Sequence, residues 1–149
     1  MRKWIIICFF SFILFVTTAC DMRVSLSSQD FKDKMENIGY SVQNVTDLYD
    51  AETNSSVSLA LHSDYELTFH VLANEKSAKS LYTIMKKQYK EEDKKARKTE
   101  KSKENYEKFT MKGKKEYKIV IRVDKTVLLA STDKKHQKEI DEIVRKLGY

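Results

Sequence analysis

The sequence has no proline and only three glycines in 149 residues. That scarcity predicts long regular elements joined by short turns. Gly39, Gly113 and Gly148 stand far apart, so no two of them can form the Gly-rich loop that cradles a phosphate. Cysteine is nearly as rare, with only Cys8 and Cys20. Cys8 lies in an apolar leader. Once that leader is removed, Cys20 is the single remaining thiol and no internal disulfide can form. Exported domains often lean on such bonds, so this one must stand on its packed core. A membrane-crossing run is also missing: Trp4 to Val16 is an apolar stretch of 13 residues, and a spanning helix needs about 20.

Catalytic signatures are absent as well. None of the serines sits in a nucleophile–base–orienter pattern. The paired carboxylates of Glu91-Glu92-Asp93 fall in a highly charged stretch, where solvation leaves them unsuited to acid–base work. The histidines are His62, His70 and His136. A metal site needs three or four convergent ligands, and these read instead as exposed histidines. The sequence therefore predicts no enzyme, no cofactor and no metal.

The N-terminus carries the most specific pattern. Arg2 and Lys3 precede the apolar run, and the small residues Thr17-Thr18-Ala19 follow it, which is the layout of an export signal. Val16-Thr17-Thr18-Ala19-Cys20 resembles the lipobox of bacterial lipoproteins, whose pattern ends Leu-Ala-Gly/Ala-Cys. Ala19 and Cys20 match it and Thr18 is compatible, while Thr17 stands where the family has Leu, Val or Ile. The resemblance implies that residues 1–19 are a cleaved signal peptide and that Cys20 receives a diacylglycerol thioether. It further implies a protein anchored by lipid to the cell membrane, on its extracytoplasmic face. Two acyl chains hold durably where one holds only marginally. The alternative is an ordinary secretory signal cut near Ala19, with Cys20 incidental. Residues 20–28 read as the lipidated cysteine and a short tether, with a reach of about 28 Å over eight residues. In size, lysine richness and lack of proline, the whole chain is also similar to small lipoproteins of low-GC Gram-positive bacteria.

Residues 29–149 read as a single α+β domain. Ser27 or Ser28 caps a first helix, with Asp30 in its first turn. Phe31, Met35 and Ile38 share its face, and Gly39 stops it. Strands follow at Tyr40–Val45, Val57–His62 and Tyr65–Val71. Val57, Leu59 and Leu61 share one face of the second strand. Tyr65, Leu67, Phe69 and Val71 point inward from the third. His62 and His70 fall opposite the apolar face. Asn74 caps a second helix with a stripe of Ala78, Leu81, Tyr82, Met85 and Tyr89. Its pattern fades after Tyr89, and Lys90 to Lys103 reads either as a solvated helical extension or as a loop. Three more strands run through Tyr106–Met111, Glu116–Val123 and Thr126–Ser131. A last helix carries Ile140, Ile143, Val144 and Leu147.

The order is α-βββ-α-βββ-α, an antiparallel sheet of about six strands packed against helices. Residues 31–40 and 140–149 echo one another, each ending aliphatic-Gly-Tyr. The echo admits a duplicated αβββ unit or simply a common helix stop.

The mature chain has 26 basic and 22 acidic residues, a net +4. Residues 86–118 hold 14 basic and 7 acidic groups, so the rest of the mature chain is negative. Lys86, Lys87, Lys90, Lys94, Lys95, Arg97 and Lys98 are the candidate contacts for an anionic surface, either lipid head groups or wall polymer. An export signal argues against nucleic acid. A solvated charged stretch with mixed signs is the plainer reading. Three functions follow: a non-enzymatic binding module of the cell envelope with an unidentified protein partner, an inhibitor or immunity-type protein that blocks an envelope enzyme, or a ligand-binding protein or hydrolase with a pocket between sheet and helices.

Overall fold

The computed structural model describes residues 22–149. The leader and Cys20 lie outside the described residues. The elements are α1 (Ser28–Asn37), β1 (Ser41–Asn44), β2 (Asn54–Leu61), β3 (Glu66–Leu72), α2 (Glu75–Glu92), β4 (Arg97–Ser102), β5 (Tyr106–Lys112), β6 (Glu116–Val123), β7 (Thr126–Asp133) and α3 (Gln137–Leu147). Single 3₁₀ turns occupy Thr46–Leu48 and Lys134–His136. The fold is α+β. All strand pairs are antiparallel, in the order β1-β2-β3-β7-β6-β5-β4.

The sheet has seven strands where the sequence predicts six. The additional one, β4, occupies part of the stretch expected to be a helical extension or loop. Its residues, Arg-Lys-Thr-Glu-Lys-Ser, include no apolar side chain. It lies at the sheet edge beside β5, so it needs no apolar face and gives no hydrophobic alternation to read. The helix itself ends at Glu92, where the backbone of Asp93 turns extended.

Helices cover both faces of the sheet. Phe31 and Met35 of α1 and Ile140, Ile143, Val144 and Leu147 of α3 share one core with Leu67, Phe69, Ile119, Ile121 and Leu128. Ala78, Tyr82 and Tyr89 of α2 pack on the other face with Phe109, Met111, Val120 and Val127. The two faces therefore each have a core, and this corrects the reading of β2. Its partner residues place Ala60 opposite Leu67 and Val57 opposite His70. Val57, Leu59 and Leu61 thus share a face, but it is the α2 face, whereas Leu67, Phe69 and Val71 look toward α1 and α3.

The helix ends fit the sequence reading. Ser27 Oγ accepts from the Asp30 amide at 3.0 Å while Asp30 accepts from the Ser27 amide at 3.2 Å, a reciprocal capping box. Asn74 accepts from the Ser77 amide at 2.9 Å. Residues 31–40 and 140–149 end alike. Gly39 and Gly148 take φ values of +94° and +87°, open to glycine at little cost. The Tyr40 amide bonds to the Met35 carbonyl, and the Tyr149 amide to the Val144 carbonyl, both at 3.0 Å. Both tyrosines are thereby folded back into the same core. The echo is a shared way of ending a helix. It does not extend to the whole αβββ unit, because α1 and α2 cover opposite faces.

Candidate functional site

Three regions hold polar or charged groups that the fold gathers from distant positions. The first is built by the first described residues of the chain. Residues 23–26 lie bound to the domain. Arg23 stacks its guanidinium 4.4 Å from the Tyr106 ring centre and donates to the Gly148 carbonyl at 2.9 Å. Asn105 donates to the Arg23 carbonyl at 2.7 Å, and the Leu26 amide donates to the Tyr149 hydroxyl at 3.3 Å. Three residue steps span at most about 10 Å, against about 28 Å for an eight-residue tether.

The β4–β5 hairpin lies next to Arg23. Its pairing puts Arg97 opposite Lys112 and Lys101 opposite Lys108. Side chains alternate between faces along a strand, so these four share the α1/α3 face, beyond the part that α3 covers. No carboxylate of β4 or β5 lies on that face. Glu100 and Glu107 point the other way, toward α2. Glu100 accepts from Lys86 at 2.5 Å and lies 3.7 Å from Lys90. Glu107 accepts from Arg122 Nε at 2.6 Å. The hydrogen bond from Lys86 holds the Glu100 carboxyl below its ordinary range. By contrast, Arg97, Lys101, Lys108 and Lys112 form no ion pair among the described residues. Burial holds the Lys108 ammonium below its ordinary range; Asp141 supports its charge, and Lys101, Arg23 and Lys112 oppose it. Two clefts flank the hairpin. One of about 420 Å³ includes Arg23, Lys101 and Lys108. The other, of about 750 Å³, includes Lys95, Arg97, Lys112 and Lys134 alongside Glu92 and Asp93.

The seven basic residues singled out from the sequence are thus not one surface. Lys86 and Lys90 are engaged by Glu100 on the α2 face. Lys87 is exposed and pairs with Glu91 at 4.0 Å. Lys98 donates to the Asp93 and Lys94 carbonyls at 2.8 and 3.3 Å. Lys94 is an exposed turn residue. Only Arg97 joins the basic strip, with Lys95 at its end. The strip's other members could have been found only by knowing that residues 97–102 form a strand.

The second region is a cavity of about 290 Å³ on the α2 face. Helix α2 covers the sheet from β5 to β3, and residues 46–53 cover the outer strands. The cavity lies between them. Leu72, Leu81, Met85 and Leu129 make it apolar, with Thr53, Thr68 and His70 as polar points. His70 is 4% exposed. The sequence predicts an exposed strand histidine here. It is buried because the side of the hairpin opposite Leu67 and Phe69 is itself covered. Burial pushes its imidazole down to about 4. Nδ1 lies 3.0 Å from Asn54 Oδ1, and Tyr49 meets the ring edge-on at 5.1 Å.

The third region joins the remaining histidines, which the sequence also reads as exposed. His62 stacks on Tyr65 at 4.8 Å, and His136 tilts against the same ring at 5.0 Å. His136 Nδ1 lies 3.3 Å from Glu139, and Nε2 lies 3.6 Å from Asp64. Tyr40 and Tyr65 share a short hydroxyl–hydroxyl contact, and burial raises both phenols. Burial opposes the Glu139 charge, but hydrogen bonds from Tyr65 and His136 keep it below its usual range. The phenols stay protonated, and the Tyr40 hydroxyl lies 3.4 Å from Glu139 Oε1. The network ties the start of α3 to β1 and to the β2–β3 turn. Among the described residues, no group of three His, Cys, Asp or Glu side chains is placed to hold a metal ion.

No protein-family model matches the sequence, and no curated protein matches it. Among solved structures, the chain is similar to the crystal structure of a GTP binding regulator from Thermotoga maritima. The TM-score is 0.51 at 9% identity, over 86% of this chain and 93% of that one. At that identity the likeness concerns the fold.

Proposed function

We propose that the protein is a lipid-anchored, extracytoplasmic binding module of the cell envelope, non-enzymatic, which lies with its β4–β5 edge on an anionic membrane surface. The observation that carries this reading is the separation of charge on that hairpin. Arg97, Lys101, Lys108 and Lys112 share one face with Arg23, with Arg97 and Lys101 exposed, while the acidic residues of the same strands are taken up on the other face. Each basic group near an anionic bilayer contributes about 1 kcal/mol. The short run from Cys20 to Arg23 supports the orientation, because an anchor at Cys20 would hold this edge at head-group height. The cavity over His70 would then open on the opposite face of the sheet, away from the lipid. The GTP named for the Thermotoga protein is not carried over: the three glycines here end two helices and one hairpin.

Two measurements test this reading. Metabolic labelling with a palmitate analogue is expected to mark the wild type and not Cys20→Ala; equal labelling of both removes the anchor. Co-sedimentation of the full chain is expected to rise with the phosphatidylglycerol content of vesicles and to fall with salt. The Lys101→Glu/Lys108→Glu variant should lose most of that dependence. Binding indifferent to lipid charge overturns the docking orientation and leaves the anchor untouched.

A further inference from the structure

We infer that the cavity over His70 binds a small, mostly apolar molecule that presents one hydrogen-bond donor to the histidine ring. The inference begins with the amide of Asn54. Its Nδ2 donates to the Asp50 carbonyl at 3.2 Å, which turns Oδ1 toward His70. Oδ1 can only accept, so the proton on the imidazole resides on Nδ1. A buried imidazole with no acid beside it stays neutral. Nε2 is then a bare acceptor, and among the described residues it has no partner. Nε2 is not among the fully enclosed unpaired atoms, and His70 lines the cavity, so a donor placed in that space can reach it.

The walls set the rest of the ligand's character. Leu72, Leu81, Met85 and Leu129 favour an apolar body, and no charged side chain lines the space. At about 30 Å³ per water in the liquid, a volume of about 290 Å³ suits a body of on the order of ten non-hydrogen atoms. Tyr49 adds an aromatic ring to the lining, edge-on to His70. Small-molecule sites share this composition, an apolar cleft with a few fixed polar points. An aromatic or aliphatic alcohol fits it, whereas an anion or a sugar does not.

The test compares 2-naphthol with 2-methylnaphthalene, which has nearly the same shape and no donor. The purified full chain carries ¹⁵N-labelled histidine, so the His70 ring signals report on the site itself. Binding of 2-naphthol should move the Nε2 signal and should be at least tenfold tighter than binding of 2-methylnaphthalene. His70→Phe should bring the two affinities together. Leu81→Trp, which fills the space from a half-exposed helix position, should abolish binding with the circular-dichroism spectrum unchanged. An unmoved His70 signal, or equal affinities for the two probes in the wild type, overturns the inference. So does full binding to a folded Leu81→Trp variant.

Discussion

The two faces of the sheet are covered unequally. On one, α1 and α3 lie side by side, and Phe31, Phe69 and Tyr149 pack ring against ring beneath them: Phe31 stacks on Phe69 at 4.5 Å, and Tyr149 meets Phe69 edge-on at 6.2 Å. On the other, α2 lies alone, and the outer strands have only residues 46–53 above them. One face holds most of the dense packing, and the other leaves room for a ligand. Two helices are wide enough to seal seven strands over most of their breadth, whereas one is not. The gaps in cover are therefore where function is to be sought: the cavity on the α2 face and the basic strip at the β5–β4 rim of the other.

Mutations can break this comparison. The largest effect is expected from Phe69→Ala, which opens a void in the sealed core and should cost about 3–5 kcal/mol by denaturant unfolding. Leu81→Ala, beside an existing cavity, should cost only about 1 kcal/mol. Equal losses would mean that the two faces are packed alike.

Acid supplies the next test. The unfolded imidazole of residue 70 takes up a proton below about 6.5, whereas the folded one resists until about 4. The unfolded state binds more protons in that window, so stability falls as pH drops through it and is fully retained above it. Wild type should lose about 3 kcal/mol more than His70→Gln between those limits, measured as the difference between their unfolding free energies.

The smallest effect concerns the rim. Lys108 is partly buried among Arg23, Lys101 and Lys112. Lys108→Met should raise stability by about 1 kcal/mol while weakening attachment to anionic vesicles. A gain in stability without weaker attachment would separate that lysine from the proposed membrane role.

Much of the fold was legible because each of its parts obeys a local rule. Ser27 and Asn74 announce helix starts, and Gly39 and Gly148 announce ends. β6 alternates: Tyr117, Ile119, Ile121 and Val123 line one face, and Val120 adds an apolar contact on the other between Lys118 and Arg122. β4 was not legible because an edge strand with no buried face carries no period in hydrophobicity. The histidines were misplaced for a related reason. Alternation tells which residues share a face and not whether that face is covered, so His70 seemed to look at solvent. The cavity depends on which strands α2 crosses, and no local pattern encodes that.

The separation of charge on the β4–β5 hairpin has a structural side as well. β4 has no apolar residue to hold it in place against β5. A slip of one position would exchange its two faces. Glu100 would leave Lys86 and Lys90 for the basic side, and Lys101 would be pushed toward those same two lysines. Attraction in the correct alignment and repulsion in the shifted one specify where the strand sits. A hydrophobic strand keeps its alignment by what it buries; this one keeps it by the sign of its charges, and the pattern that gathers lysines on one face also acts as the strand's alignment key.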